Sequence, residues 1–386
     1  MSEVLLLFAV LAALYLWECA CWLPQGSIAC LTWLGKKWRV TRPGQFFGNQ
    51  FGGFVLAFPL PPMGSIVTGN PLPFLVSPAG IATPTASRLP AIFLPFPDIK
   101  TIECQGRKII INGSTFLKLS SPTLADVLTR QISDLKNETS ERRPAAIEKM
   151  YRTMFDTKAI QTRWRKFEQR SGIIRWAANG LFFLIFAIAP AAIIHFGLSA
   201  TWLPLLIGIL AFTMTLATVC YRIHKHFFPA ADDDRFTNTV TVLLAPATAL
   251  RTRDLLSRRM LEAFHPLAIA YVFCPEDNFR QYAEKTVRDL RYSNPPSTSN
   301  TAPAQKEIET YSRHSSLAAI EKFLTKNKIN PEDLCRAPKP SDETCRAYCP
   351  RCLSQFTTPE GNCDDCGGVP LVAFKKAATG KISRKS

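Results

Sequence analysis

Cys349-Pro-Arg-Cys352 and Cys363-Asp-Asp-Cys366 are the residues of this 386-residue chain whose types and spacing point most plainly to chemistry. Each Cys-x-x-Cys pair reads as a tight turn, and ten residues separate the two pairs. At that separation all four thiolates can reach one tetrahedral metal ion. Gly367 and Gly368 follow the second pair, where the chain must fold back over the sulfurs without a side chain in the way. Disulfides would also use an even number of cysteines, but the paired x-x spacing and the flanking glycines favour metal. An ion held by four protein sulfurs has no open position for water or substrate, so its role is structural. Cys335 and Cys345, just upstream, read as ordinary reduced thiols.

Residues 348–374 resemble a short zinc ribbon, the family of small four-cysteine modules built from two such knuckles. The resemblance implies structural Zn2+ on Cys349, Cys352, Cys363 and Cys366. Iron in a rubredoxin-like site is the alternative, because iron also accepts four thiolates. The rest of the chain brings no enzyme into view. None of His195, His224, His226, His265 and His314 stands in a His-Glu-x-x-His frame or beside a nucleophile. Gly52-Gly53 lacks the Gly-Lys-Ser/Thr that a phosphate loop needs, and Asp232-Asp233-Asp234 reads as an exposed acidic loop. No small-molecule substrate is implied.

The elements that must carry this module read as membrane helices. From Trp176 to Tyr221 there is no Asp, Glu, Lys or Arg, about twice the ~20 residues that one helical crossing needs. Gly197-Leu198-Ser199-Ala200-Thr201 interrupts the run, which predicts a hairpin of Ile174–Phe196 and Trp202–Tyr221. Val4–Leu23 reads as a third span. It lacks the basic start and the small-x-small cleavage site of a secretory signal, so it reads as an uncleaved anchor. Lys36, Lys37, Arg39 and Arg42 follow this span, and Arg163, Arg165, Lys166, Arg170 and Arg175 crowd the start of the next. Arg222 and Lys225 follow the last. The positive-inside rule then puts the N-terminus outside and both 24–173 and the C-terminal region in the cytoplasm, where thiolates stay reduced.

The expected fold class is thus a membrane protein. Three transmembrane α-helices, one N-terminal and two in a hairpin, carry a cytoplasmic α+β domain and a C-terminal zinc ribbon. Its pieces are an anchor at 1–23, the α+β domain at 24–140, a basic helix at 141–173 and the hairpin at 174–221. They continue as a mainly helical region at 222–292, a flexible linker with a short helix at 293–347, the ribbon at 348–374 and a basic tail at 375–386. Within 24–140, a hairpin forms around Gln105-Gly106-Arg107, a strand follows at Thr115–Leu119, and a helix runs from Thr123 to Lys136. Strands closed by one helix give 40–137 a resemblance to pleckstrin-homology-like barrels, an order shared with unrelated α+β domains. Asn238–Leu244 reads as a strand and Thr248–Phe264 as an amphipathic helix. The segment from 293 to about 315 is poor in large apolar residues and reads as linker, followed by a helix at Ser316–Lys326.

Between 142 and 175 ten basic residues face three acids. Arg163, Arg165, Lys166, Arg170 and Arg175 are therefore candidates for contact with anionic lipid headgroups. A solvated helix obeying the positive-inside rule is the other reading. For the whole chain, the expectation is a non-catalytic scaffold or accessory protein that offers the ribbon to a protein partner, such as a larger membrane complex. The alternative is a membrane-tethered nucleic-acid binder using the ribbon and the basic tail.

Overall fold

In the computed structural model the described residues are 71–84, 92–119, 121–229, 259–274, 276–292 and 303–374, with shorter stretches at 3–21, 27–31, 37–41, 55–56, 63–67, 235–236, 239–240, 242–243 and 256. The chain divides into two compact units. Met1–Phe74 and Pro78–Phe279 form the first, and Leu75–Ser77 with Arg280–Ser386 form the second. Asp232–Asp234, Gly52-Gly53, residues 293–302 and the basic tail 375–386 lie outside the described residues.

The first unit begins with helix α1, Glu3–Cys19. The span expected at Val4–Leu23 is therefore helical only to Cys19, a rise of about 25 Å against the ~30 Å of a bilayer core. A two-residue strand, β1 (Ala20–Cys21), pairs antiparallel with β4 (Val55–Leu56). Strand β2 (Ser27–Leu31) sits between β3 (Lys37–Thr41) and β5 (Met63–Val67), antiparallel to both. Further on, β7 (Gly80–Ala82) pairs with β8 (Phe93–Pro95).

A three-stranded antiparallel meander follows, β9 (Ile102–Gln105), β10 (Lys108–Ile111) and β11 (Ser114–Lys118). Its second turn runs through Asn112 and Gly113, with φ of 52° and 78°, the positive values of a tight hairpin turn. The Asn112 side chain fixes it. Its Oδ1 accepts the backbone N–H groups of Lys100 and Thr101, and its Nδ2 donates to the Asp98 carbonyl. Alternation then buries Ile109 and Ile111, and helix α2 (Pro122–Asn137) packs across β9 and β10. Ser121 caps this helix by accepting from the Leu124 N–H at 3.1 Å, with Pro122 in the first turn. Leu124, Leu128, Ile132 and Leu135, spaced at helical intervals, form its buried face. The strand-then-helix order expected here is present. No described sheet has more than three strands, so these residues do not show the closed barrel that the pleckstrin-homology-like resemblance implies.

The basic helix expected at 141–173 is two helices. Helix α3 (Arg143–Met154) ends at Phe155, and Asp156 caps α4 (Thr157–Phe183) by accepting from the Ala159 N–H at 3.0 Å. Helix α4 then continues through a π-helical turn, Leu184–Ile188, into α5 (Ala189–Phe196) without a break. The predicted five-residue turn shrinks to Gly197 alone, at φ 80°, and α6 runs from Leu198 to Phe227. Thr157–Phe196 and Leu198–Phe227 are each long and apolar enough to cross a membrane. The most apolar windows of the two are only 11% and 22% buried, whereas the core helix of a soluble protein would be mostly covered. Among the described residues these are two such helices, not the three expected.

On its other half, α4 buries Ile160, Trp164, Phe167, Ser171 and Ile174, one stripe at three- and four-residue intervals. Helix α7 (Pro266–Phe273) packs on this stripe, with the Trp164 and Phe273 rings 5.1 Å apart. Residues 239–240 and 242–243 are helical, correcting the strand expected at Asn238–Leu244. Of the helix expected at Thr248–Phe264, residues 248–255 and 257–258 lie outside the described residues; 256 and 259–261 are helical, and 262–264 form a turn.

The second unit takes helix α8 (Glu276–Tyr292) from Arg280 onward, then α9 (Pro303–Lys326) and α10 (Pro331–Leu334), with β6 (Leu75–Val76) against α9. Helix α9 corrects the linker reading. It is continuous over 24 residues, so 303–315 is helix. Ile308, Ile320, Phe323 and Leu324 are buried along it, and the low apolar content of its first half concealed that face.

Candidate metal centre

Five two-residue strands frame the C-terminal cysteines. Strand β12 (Ala347–Tyr348) pairs with β13 (Gln355–Phe356) on one side and β16 (Val372–Ala373) on the other, and β14 (Asn362–Cys363) pairs with β15 (Val369–Pro370). Both hooks turn back through a left-handed residue directly after their second cysteine. In the first, the Leu353 N–H donates to the Cys349 carbonyl at 2.9 Å and Leu353 takes a left-handed φ of 65°. In the second, the Gly368 N–H donates to the Cys363 carbonyl at 3.0 Å, and Gly367 takes φ 71°. The left-handed residue after each second cysteine turns the chain back over the sulfurs; glycine does this without strain, and leucine does not.

The four Sγ atoms of Cys349, Cys352, Cys363 and Cys366 all lie within 4.8 Å of one another, and those of Cys352 and Cys363 are 3.8 Å apart. Four sulfurs each ~2.3 Å from a central zinc stand about 3.8 Å apart at the edges of a tetrahedron. The cluster therefore has the size of a tetrathiolate site. Cys349, Cys363 and Cys366 are buried and Cys352 is exposed. Val369 completes the small core, with Tyr292, Phe356 and Leu371 packed against it. Cys335 and Cys345 are not part of the cluster. Cys345 instead lies 3.2 Å from the Ser341 hydroxyl.

Crowding shows in the acidities. Burial opposes ionisation of Cys352, but the Ser354 hydroxyl and backbone N–H and the neighbouring thiols bring it down to about 7. Burial and the other three thiols push Cys366 up, and burial raises Cys363. A divalent cation among these sulfurs acts the other way on all four, by stabilising the thiolates. The donor set fits a soft or borderline metal ion, and it could hold zinc or iron.

The ribbon does not stand apart from its unit. Arg288 of α8 is 3% exposed; its Nη1 donates to the Pro350 carbonyl at 2.9 Å and its Nη2 to the Arg336 carbonyl at 2.8 Å. Arg351, inside the first hook, reaches Asp289 Oδ1 at 3.3 Å and the Cys366 carbonyl at 3.2 Å. The stretch Arg336–Ser341, within the flexible linker expected at 293–347, is held by Arg288 at one end. At the other, the Ser341 N–H donates to Gln355 Oε1 at 2.8 Å. This stretch, though largely exposed, is therefore tied by hydrogen bonds to the helix and to the ribbon. Arg288, Asp289 and Tyr292 escaped sequence reasoning because no spacing rule links the last turns of a helix to a hook some sixty residues later.

The other predicted site residues lie in the first unit. Arg163, Arg165, Lys166 and Arg170 are exposed on α4, and Arg175 lies on the same helix. The Arg163 guanidinium lies 5.0 Å from the centre of the Phe264 ring. All five lie along the single helix α4. No family model matches the chain, and comparison with curated proteins and with solved structures likewise finds no match.

Proposed function

We propose that this chain is a membrane-anchored scaffold or accessory protein that presents a zinc-stabilised ribbon to a protein partner and performs no catalysis of its own. One pairing of features carries the reading: a closed four-thiolate cluster in the same chain as two long helices whose apolar surface is left largely uncovered. The closed donor set leaves the ion no position for substrate, which favours docking over chemistry. Trp176 is 79% exposed and Trp202 53%, and aromatic residues of this kind suit the two interfaces of a bilayer.

In this reading Glu3–Cys19 serves as a third, short anchor. The N-terminus lies outside, and the basic flanks keep residues 24–173 and the C-terminal unit in the cytoplasm. Zinc occupies the site. Anionic headgroups meet only the membrane-proximal end of α4, because the helix enters the span without a break. Arg163 stands thirteen residues before Trp176, about 20 Å along the axis.

Purification of the full chain from its native membranes in mild detergent, in parallel with Cys363→Ser, tests the proposal. A stoichiometric protein that accompanies the native chain and is lost with Cys363→Ser, while the variant stays inserted, supports it. Nucleic acid co-purifying in a salt-dependent manner, with no protein partner, overturns it in favour of membrane-tethered nucleic-acid binding.

A further inference from the structure

Two consecutive residues of α8 meet two consecutive residues of the first hook. Arg288 holds the Pro350 carbonyl, and Asp289 holds the Arg351 guanidinium. Arg351 also crosses to the second hook, where it donates to the Cys366 carbonyl. One side chain thus belongs to the first knuckle, grips the second, and is anchored to a helix outside both. Arg288 is nearly inaccessible and is paired with Glu284 at 3.0 Å. Two ion-paired guanidinium groups thus hold backbone carbonyls of the two hooks, at Pro350 and Cys366.

We propose that Arg288, Asp289 and Arg351 are positioning residues of the metal centre. They hold the two hooks in the register at which four sulfurs share one ion. Helix α8 is then part of the metal site, and metal binding is coupled to the order of the helical unit as well as to that of the ribbon. Arg351 can do this because its planar fork serves an aspartate and a carbonyl at once; lysine offers a single point charge. The inference rests on the four cysteines being metal ligands.

The test uses the full chain in detergent. Zinc affinity is measured by competition with a chromogenic chelator, and the thiolate-to-metal absorption of the Co2+-loaded protein is recorded alongside. Asp289→Ala and Arg351→Lys each lie outside the ligand set. Both are expected to weaken zinc binding about 10- to 100-fold, as loss of outer-shell partners does, and to alter the Co2+ spectrum. Asp289→Glu is expected to recover most of the affinity. Affinities and spectra for both weakened variants within twofold of the native chain would overturn the positioning role. If the native chain binds no zinc, or Cys363→Ser binds it equally well, the ligand assignment fails instead.

Discussion

The Phe212 ring of α6 lies over Gly180 of α4, with its nearest atom 2.6 Å from where a Cβ would stand. One turn on from Gly180, and one turn back along α6, the arrangement inverts: Leu184 lies 3.0 Å from the Cβ position of Gly208. Each glycine is the hole for the other helix's side chain, so the hairpin closes by interlocking. This is the small-residue packing that apolar helices use when lipid competes for their surfaces. Gly180→Ala should destabilise the hairpin by about 1–3 kcal/mol. Adding Phe212→Ala should recover part of the loss, because the clash partner is gone. Thermal unfolding of the four proteins of this cycle in detergent measures the coupling; additive losses would show that the two residues do not meet.

His265 predicts a pH dependence. Its backbone N–H donates to the Met154 carbonyl, its Nδ1 accepts from the Leu267 N–H at 3.1 Å, and its ring stacks on Phe155 at 4.6 Å. Burial pushes its pKa from 6.5 down to about 4, so the folded protein keeps the ring neutral while the unfolded chain protonates it. The stabilisation is complete above about pH 6.5 and is lost as pH falls toward 4. Allowing for partial exposure, the loss is on the order of 2 kcal/mol. His265→Asn keeps a cap acceptor that cannot titrate. Its unfolding temperature should fall less than that of the native chain between pH 6.5 and 4.5.

Arg291 ties three helices of the second unit together. It reaches Glu321 of α9 and Glu332 of α10, both at 2.7 Å, with only 18% of its side chain exposed. Arg291→Met should cost about 1–2 kcal/mol. Faster hydrogen exchange in 303–326 and 331–334 would report the loss, with exchange in α2 and α4 unchanged.

Orientation is open to direct labelling. Ser199→Cys places a thiol just after the Gly197 turn. In intact cells a membrane-impermeant maleimide should label it beyond the native background, while the exposed Cys104, outside the metal cluster, should react only after lysis. Labelling of the new thiol only after lysis would reverse the topology.

How much of this was legible in the sequence depends on the range of the interactions. The cysteine spacing predicted the cluster because each hook is a local turn and the two lie close in the chain. The charge-free run predicted two long helices because hydropathy is a property of consecutive residues. The hairpin around Gly106 and the helix after Ser121 were likewise local signals. Helix α9 was missed because its first half buries Gln305, Ile308 and Ser312, a face with little apolar signature. The break at Asp156 was missed although Asp is a common cap, because the basic run on either side obscured it. The strand expected at Asn238–Leu244 rested on β-branched composition alone, which tertiary context overrides. The grip of Arg288 and Asp289 on the first hook is a contact across some sixty residues, and no periodicity encodes it.

Metal analysis of the full chain purified from its native membranes, alongside Cys363→Ser prepared in the same way, decides whether the four cysteines form a metal centre. One zinc per chain is expected in the native protein and none in the variant, with both proteins recovered from the membrane fraction. A native chain without stoichiometric metal, or a variant that retains it, would contradict the assignment of Cys349, Cys352, Cys363 and Cys366 as its ligands.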